Sequence, residues 1–154
     1  MFFDLLSFNA LFSKEQLIFF LKKVKIGKKE EKMVQKILIV EDNELNMRLF
    51  NDLLEMQGYE VCQCLIASEA LAKVRDFHPD LILMDIQMPE ISGLELTEKI
   101  RASAEIADVK IIAVTAFAMQ GDKSKILEAG CDDYISKPIQ IQPFLTKIKE
   151  TLAL

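Results

Sequence analysis

The chain has 154 residues, 51% of them hydrophobic and 28% charged, with a formal charge of −5. That is enough for one domain with a sizeable core, too little for two of ordinary size, and unlike the composition of a disordered chain. The charge is uneven: residues 1–36 hold eight lysines against four acids, whereas residues 37–154 hold eleven Lys and Arg against twenty Asp and Glu. An acidic body argues against nucleic acid as partner, because phosphate backbones are held by Lys and Arg.

Residues 1–34 differ from everything after them. Their longest unbroken apolar run, Leu17 to Leu21, is far short of the roughly 20 residues that span a bilayer. They have no basic leader region and no small-residue cleavage site, which argues against a secretory signal. Leu17, Phe20, Leu21 and Val24 could form a helical stripe beside Lys22, Lys23, Lys25, Lys28 and Lys29, suited to a membrane surface. The plainer expectation is a loosely attached extension, or a start called too early with Met33 as the true beginning.

From Gln35 onward the pattern alternates. Lys36–Val40 (KILIV) reads as a strand ending at Glu41-Asp42. A first helix follows with Leu45, Leu49 and Leu53 at i+4 spacing, stopping at Gly58. Residues 59–65 read as a second strand, and residues 67–77 as a second helix with Ser68 as its cap, broken by His78-Pro79. Residues 81–84 form a third strand and 93–103 a third helix. A fourth strand spans 109–114 and a fourth helix 120–129, with Gly130 as its stop. A short fifth strand covers 133–136, and Ile141, Phe144, Leu145, Ile148 and Leu152 mark a fifth helix. Five strands alternating with five helices predict an α/β domain over 35–154 with a doubly wound parallel sheet. Strands 1, 3 and 4 are continuous apolar runs, as central strands are, while Glu60 and Gln63 suit strand 2 to an edge. Right-handed crossovers favour the order 2-1-3-4-5, the flavodoxin-like arrangement. Cys62, Cys64 and Cys131 contain no CxxC pair and read as buried reduced thiols of a cytosolic protein.

In such a sheet, functional groups gather at the carboxyl ends of the strands. There the sequence places Glu41 and Asp42 after strand 1, Asp85 after strand 3, Thr115-Ala116 after strand 4 and Lys137-Pro138 after strand 5. Each alone is an ordinary turn, cap or surface residue; their coincidence is the signal. Three carboxylates close together repel, so one must take a proton or a cation must neutralise them. Hard oxygen ligands without His or Cys suit Mg²⁺. Lys137 adds a positive charge and Thr115 a donor, together a site for an incoming phosphoryl group with a carboxylate as nucleophile.

The acid pair, the DxxMPxxxG run (Asp85, Met88, Pro89, Gly93), Thr115-Ala116 and Lys137-Pro138 resemble the receiver domain of bacterial two-component response regulators across residues 35–153. The runs ILIVEDNELNM, ILMDIQMPEISGLE, AVTAFAM and YISKPI are similar to single-domain members that govern cell cycle and polarity in alphaproteobacteria. The resemblance implies that Asp85 takes a phosphoryl group from a sensor histidine kinase. Asp42, Asp85 and the Gln87 backbone carbonyl would hold Mg²⁺, with Glu41 acting mainly through water. Lys137 would pair with the phosphoryl oxygens ahead of a cis Lys-Pro bond. Thr115 would shift and Tyr134 turn inward, altering the face of helix 4, strand 5 and helix 5, and Gln87 and Phe117 would tune the phosphoryl lifetime. It implies sensor kinases and phosphatases as partners, downstream protein effectors on that face and on helix 1, no transmembrane segment, and a cytoplasmic switch recruited to a cell pole rather than an enzyme. With no output domain after the fifth helix, the signal would leave through protein contacts.

Three other readings compete with this one. A phosphohydrolase of the haloacid dehalogenase kind needs a second acid two residues after its nucleophile, where this chain has Gln87. A nucleotide or flavin binder needs a Gly- or Ser/Thr-rich loop after strand 1, which DNELNM is not. An inert pseudo-receiver would lack some of the expected residues. His78, the only histidine, reads as a helix-end residue, so the chain is not itself a histidine kinase or phosphotransfer protein.

Overall fold

The structure, a computed structural model, describes residues 33–116 and 120–153, without the side chains of Gln120 and Gly121. The reading of a helical stripe in residues 1–32 and that of Phe117 lie outside the described residues. Strands β1 (Lys36–Val40), β2 (Glu60–Cys64), β3 (Leu81–Asp85), β4 (Lys110–Thr115) and β5 (Asp133–Ser136) alternate with helices α1 (Glu44–Met56), α2 (Ala70–Phe77), α3 (Gly93–Arg101), α4 (Gln120–Glu128) and α5 (Ile141–Leu152). All four strand pairings are parallel, and the sheet order is β2-β1-β3-β4-β5, as the sequence predicts.

Strand alternation splits the core cleanly. Leu38, Val40, Ile82, Met84, Ile111 and Ala113 face one side, where Val74 of α2, Leu96 and Ile100 of α3 and Ile126 of α4 cover them. Ile37, Ile39, Leu81, Leu83, Ile112 and Val114 face the other, beneath Met47, Phe50 and Leu54 of α1 and Phe144 and Ile148 of α5. Phe50 and Phe144 stack there with ring centroids 5.5 Å apart. Because both faces are covered, the interiors of β1, β3 and β4 are apolar, with polar residues only at their ends. The two edge strands, β2 and β5, mix exposed with half-buried positions.

Boundaries differ from expectation in instructive ways. Ser68 is not a helix cap: it lies inside a 3₁₀ turn, Ala67–Glu69, and neither this turn nor α2 has a side-chain cap bond. With the turn wound tightly ahead of α2, Ser68 sits past the position from which a hydroxyl reaches free amides. His78 ends α2 in the left-handed region, φ 51°, donating its N–H to Val74. Helix α3 stops at Arg101 rather than Ser103 because Ala102 turns back onto Glu98 and Ile100. Asp85 and Thr115 are the last residues of their strands, not the residues after them. Cys62, Cys64 and Cys131 are free, and burial pushes the Cys64 and Cys131 thiols up.

The end of the sheet away from the acids is tied by one side chain. Arg101 donates from Nε to the Gly130 carbonyl at 2.8 Å, from Nη1 to the carbonyls of Ala107 and Val109, and from Nη2 to Asp132 at 3.0 Å. It thus joins the end of α3 to the loops before β4 and β5. Since removing one partner leaves part-buried carbonyls unmet, Arg101→Met should cost about 2 kcal/mol in urea unfolding, from the worth of charged hydrogen bonds. An unchanged denaturation midpoint would show that the fork is incidental.

Candidate functional site

Four strand ends converge on one pocket. Glu41 follows β1 and is 1% exposed, Asp85 ends β3 at 3%, and Thr115 ends β4 at 1%; Asp42 is exposed. One carboxylate oxygen from each of Glu41, Asp42 and Asp85 lies within 4.8 Å of the others. Lys137, just past β5, donates from Nζ to Glu41 Oε2 at 2.8 Å and to Asp85 Oδ2 at 2.7 Å.

The backbone fixes these positions. The Glu41 N–H donates to Cys64 at the end of β2, and the Ile86 N–H donates to Val114 of β4. Lys137 N–H donates to the Thr115 carbonyl at 2.7 Å, carrying the lysine to the mouth of the sheet, and the Lys137-Pro138 bond is cis. Asp85 is oriented from both sides: Oδ1 accepts from the Gln87 N–H at 2.9 Å while Oδ2 accepts from Lys137. The loop after it closes with Gly93 N–H on Ile86 and enters α3 under the Ser92 cap. Gly93 lies so near Asp85 that a Cβ there would meet the Asp85 carbonyl oxygen at 2.1 Å.

Charge decides what this pocket can do. Burial pushes the Glu41 carboxyl above the usual carboxylate range; the Lys137 hydrogen bond works against that rise and the Asp85 charge adds to it. Burial alone would lower the Lys137 ammonium, but its hydrogen bonds with Asp85 and Glu41 outweigh that and hold it above an ordinary lysine. With Lys137 ionised and all three acids deprotonated, the pocket carries a net charge of about −2 in a partly buried setting. A hard divalent cation with oxygen ligands fits that deficit and donor set.

Of the residues named from sequence, Glu41, Asp42, Asp85 and Lys137 are brought together, and Thr115 sits buried on the adjoining strand end. Gln87 joins them through its N–H. Tyr134 is half-buried on β5, packed against the core cluster of α2, α3 and α4, with the Lys123 ammonium 5.6 Å from its ring centroid. It lines a groove of about 400 Å³ with Lys123, Pro143, Phe144 and Lys147 on the face of α4, β5 and α5. Two residues escaped the sequence reading: Asn43 and Asn46, which donate to Glu41 Oε1 from the backbone at 3.2 Å and from Nδ2 at 3.3 Å. The one signal for them was Asn43 at a helix start, where Asn is a favoured cap.

Residues 37–149 match the response regulator receiver domain family. Over 120 residues the chain is 52% identical to the polar-differentiation response regulator DivK of Brucella ovis, covering 78% of this chain and 98% of that one. The DivK of Brucella anthropi matches at the same identity and coverage. Among solved structures, a CheY-like receiver domain protein of Methanospirillum hungatei is 38% identical, with a TM-score of 0.71 over 78% of this chain and 94% of that one. The receiver domain of a Pseudomonas aeruginosa sensor histidine kinase, with a magnesium ion coordinated in its active-site cleft, is 34% identical, with a TM-score of 0.72 over 79% of this chain and 99% of that one. A five-stranded sheet in the order 2-1-3-4-5, acids at the ends of its first and third strands and a family match across most of the fold all lead to one conclusion: the chain belongs to the response regulator receiver domain family.

Proposed function

We propose that this chain is a phosphorylation switch of a two-component system, with Asp85 as phosphoacceptor. The observation that carries the reading is the Lys137 ammonium bridging two buried carboxylates, Glu41 and Asp85, beside a third, Asp42. That arrangement gives a nucleophilic carboxylate a cation that can follow the charge of an incoming phosphoryl group. In the transfer, an Asp85 carboxylate oxygen forms the O–P bond as the N–P bond of a kinase phosphohistidine breaks, and the imidazole leaves with the bonding pair. Asp42, Asp85 and the Gln87 carbonyl would hold Mg²⁺, with Glu41 acting through water; the magnesium-bearing Pseudomonas relative and the clustered oxygens support this. When bound, Mg²⁺ would supply positive charge for the phosphoryl oxygens. Lys137 would move from its carboxylate bridge toward the phosphoryl oxygens, and Thr115 would donate its hydroxyl to them.

The signal would then pass by Thr115 shifting and Tyr134 turning inward, reshaping the groove on the α4, β5 and α5 face where a protein effector docks. Downstream effectors would also engage α1, whose Leu45 and Leu49 are exposed, and sensor kinases and phosphatases would act on the pocket. Gln87 and Phe117 would set the phosphoryl lifetime. The phosphoacceptor domain spans 35–154, with residues 1–34 an extension outside it. The near-full-length match to the two DivK proteins supports a single-domain regulator of cell cycle and polarity, working in the cytoplasm and recruited to a pole by partners rather than acting as an enzyme on a small substrate. Among the described residues no helix is long and apolar enough to cross a membrane.

Acetyl phosphate with Mg²⁺ should add one phosphoryl group, stable in acid and labile in base, and chelating the metal should stop the reaction. Undiminished labelling in excess EDTA would defeat the metal-assisted reading. An inert pseudo-receiver would take no label under either condition.

A further inference from the structure

Glu41 is 1% exposed and has three donors around one carboxylate. Lys137 holds Oε2 at 2.8 Å; the Asn43 N–H and the Asn46 side chain hold Oε1 at 3.2 and 3.3 Å. A carboxylate only accepts, so the Asn46 atom facing it must be its amide nitrogen. The setting is a helix start with its roles rearranged. Asn43 caps α1, its Oδ1 accepting from the N–H groups of Leu45 and Asn46 at 3.0 Å each. In a capping box, the residue three positions into the helix reaches back to the cap's own N–H. Here Glu41 takes that N–H instead, and Asn46, at the position where the box acid would stand, turns its amide onto Glu41. The first turn of α1 is therefore built around one oxygen of a pocket acid.

This matters because Lys137 is shared. If Asp85 is phosphorylated as proposed above, the ammonium moves to the new phosphoryl oxygens and Glu41 loses its strongest donor. A buried carboxylate left with a single backbone N–H could swing away or repel its neighbours. Asn46 stays on the opposite oxygen, and it is neutral, so it holds Glu41 without lowering the pocket's demand for a cation as a lysine there would. The geometry points to Asn46 as a positioning residue that keeps the Glu41 carboxylate aimed into the cation site while Lys137 changes partners. The inference rests on the proposed phosphorylation and on its metal-assisted reading.

The test uses Mg²⁺ alone, titrated calorimetrically into the full chain in the absence of any phosphodonor. Asn46→Leu removes the donor, keeps the size and raises helix preference, and should weaken Mg²⁺ binding about 10-fold, the lower end of what loss of a partner behind a metal ligand costs. Asn46→Gln, which retains an amide, should recover part of that loss. Thermal midpoints measured without Mg²⁺ separate this role from simple helix capping. A lowered midpoint with unchanged Mg²⁺ affinity would overturn the assignment. Should Asn46→Leu fail to fold, nitrogen-edited spectra of the unaltered protein decide: the Asn46 side-chain amide signals should move on adding Mg²⁺, and signals that stay fixed would overturn it. If the unaltered protein binds no Mg²⁺, it is the phosphorylation reading that fails, a different outcome from equal binding by protein and variant.

Discussion

Asp85→Asn is expected to reduce labelling by acetyl phosphate to background while leaving the fold intact. The amide keeps an oxygen that can accept from the Gln87 N–H, now 2.9 Å from Oδ1, and it fills the same volume at the end of β3. What it loses is the charge and the lone-pair reactivity of a carboxylate, which an amide cannot replace as a nucleophile. Glu41 and Asp42 remain, so the variant also asks whether a neighbouring acid can substitute. The geometry says not: Glu41 already spends both oxygens on Asn43, Asn46 and Lys137, and Asp42 is exposed to solvent. Lys137 in the variant keeps one full ionic partner, Glu41, in place of two. The measurement is phosphoprotein formation over time with Mg²⁺ present, alongside the thermal midpoint. Labelling at the rate of the unaltered protein, with a normal midpoint, would remove Asp85 from the reaction and reopen the choice among the three acids.

The architecture was legible because it rests on short-range rules. ILIV (residues 37–40) and LILM (residues 81–84) are apolar at every position, so each announced a strand covered on both faces, and the structure buries them that way. The polar residues of β2 announced an edge, and among the described residues it pairs with β1 alone. The candidate acids were legible because a parallel sheet sends its functional groups to one end. What stayed hidden depends on distances between segments. Asn46 lies five residues from Glu41 across a turn, and neither helical nor strand periodicity links such a pair. Ser68 looked like a cap because local sequence does not reveal a 3₁₀ turn ahead of α2. Arg101 gave no signal in the sequence, since its four partners come from residues 107 to 132. Gly93 was legible as a helix entrance, but its closeness to the Asp85 carbonyl exists only after β3 and α3 have packed.

That closeness makes Gly93→Ala the substitution with the largest expected structural effect. The added Cβ would lie 2.1 Å from the Asp85 carbonyl oxygen, 2.8 Å from its carbon and 2.9 Å from Ile86 Cα. All three are backbone atoms, so no side chain can rotate away and the loop itself must move. Alanine is the better helix former by about 1 kcal/mol in a helix interior, yet Gly93 is the first residue of α3, where that gain is smaller. Overpacking into fixed surroundings costs roughly 1–3 kcal/mol, and a backbone-to-backbone clash belongs at the top of that range. The loop that must shift carries the Gln87 N–H that orients Asp85 Oδ1, so damage to stability and to chemistry should appear together. A displacement of about 1 Å at a reacting group can cost 100-fold in rate, and labelling should slow much more than the midpoint shift alone would suggest. Gly58→Ala is the matched contrast. Gly58 has φ +85° and nothing within 4 Å of a built Cβ, so alanine there meets conformational strain without a clash. It should cost about 1 kcal/mol and leave the labelling rate unchanged. If both variants lose the same stability and both label normally, Gly93 is a helix-entry residue and nothing more. If only Gly93→Ala loses labelling, the loop after Asp85 is held in register by the absence of a single methyl group.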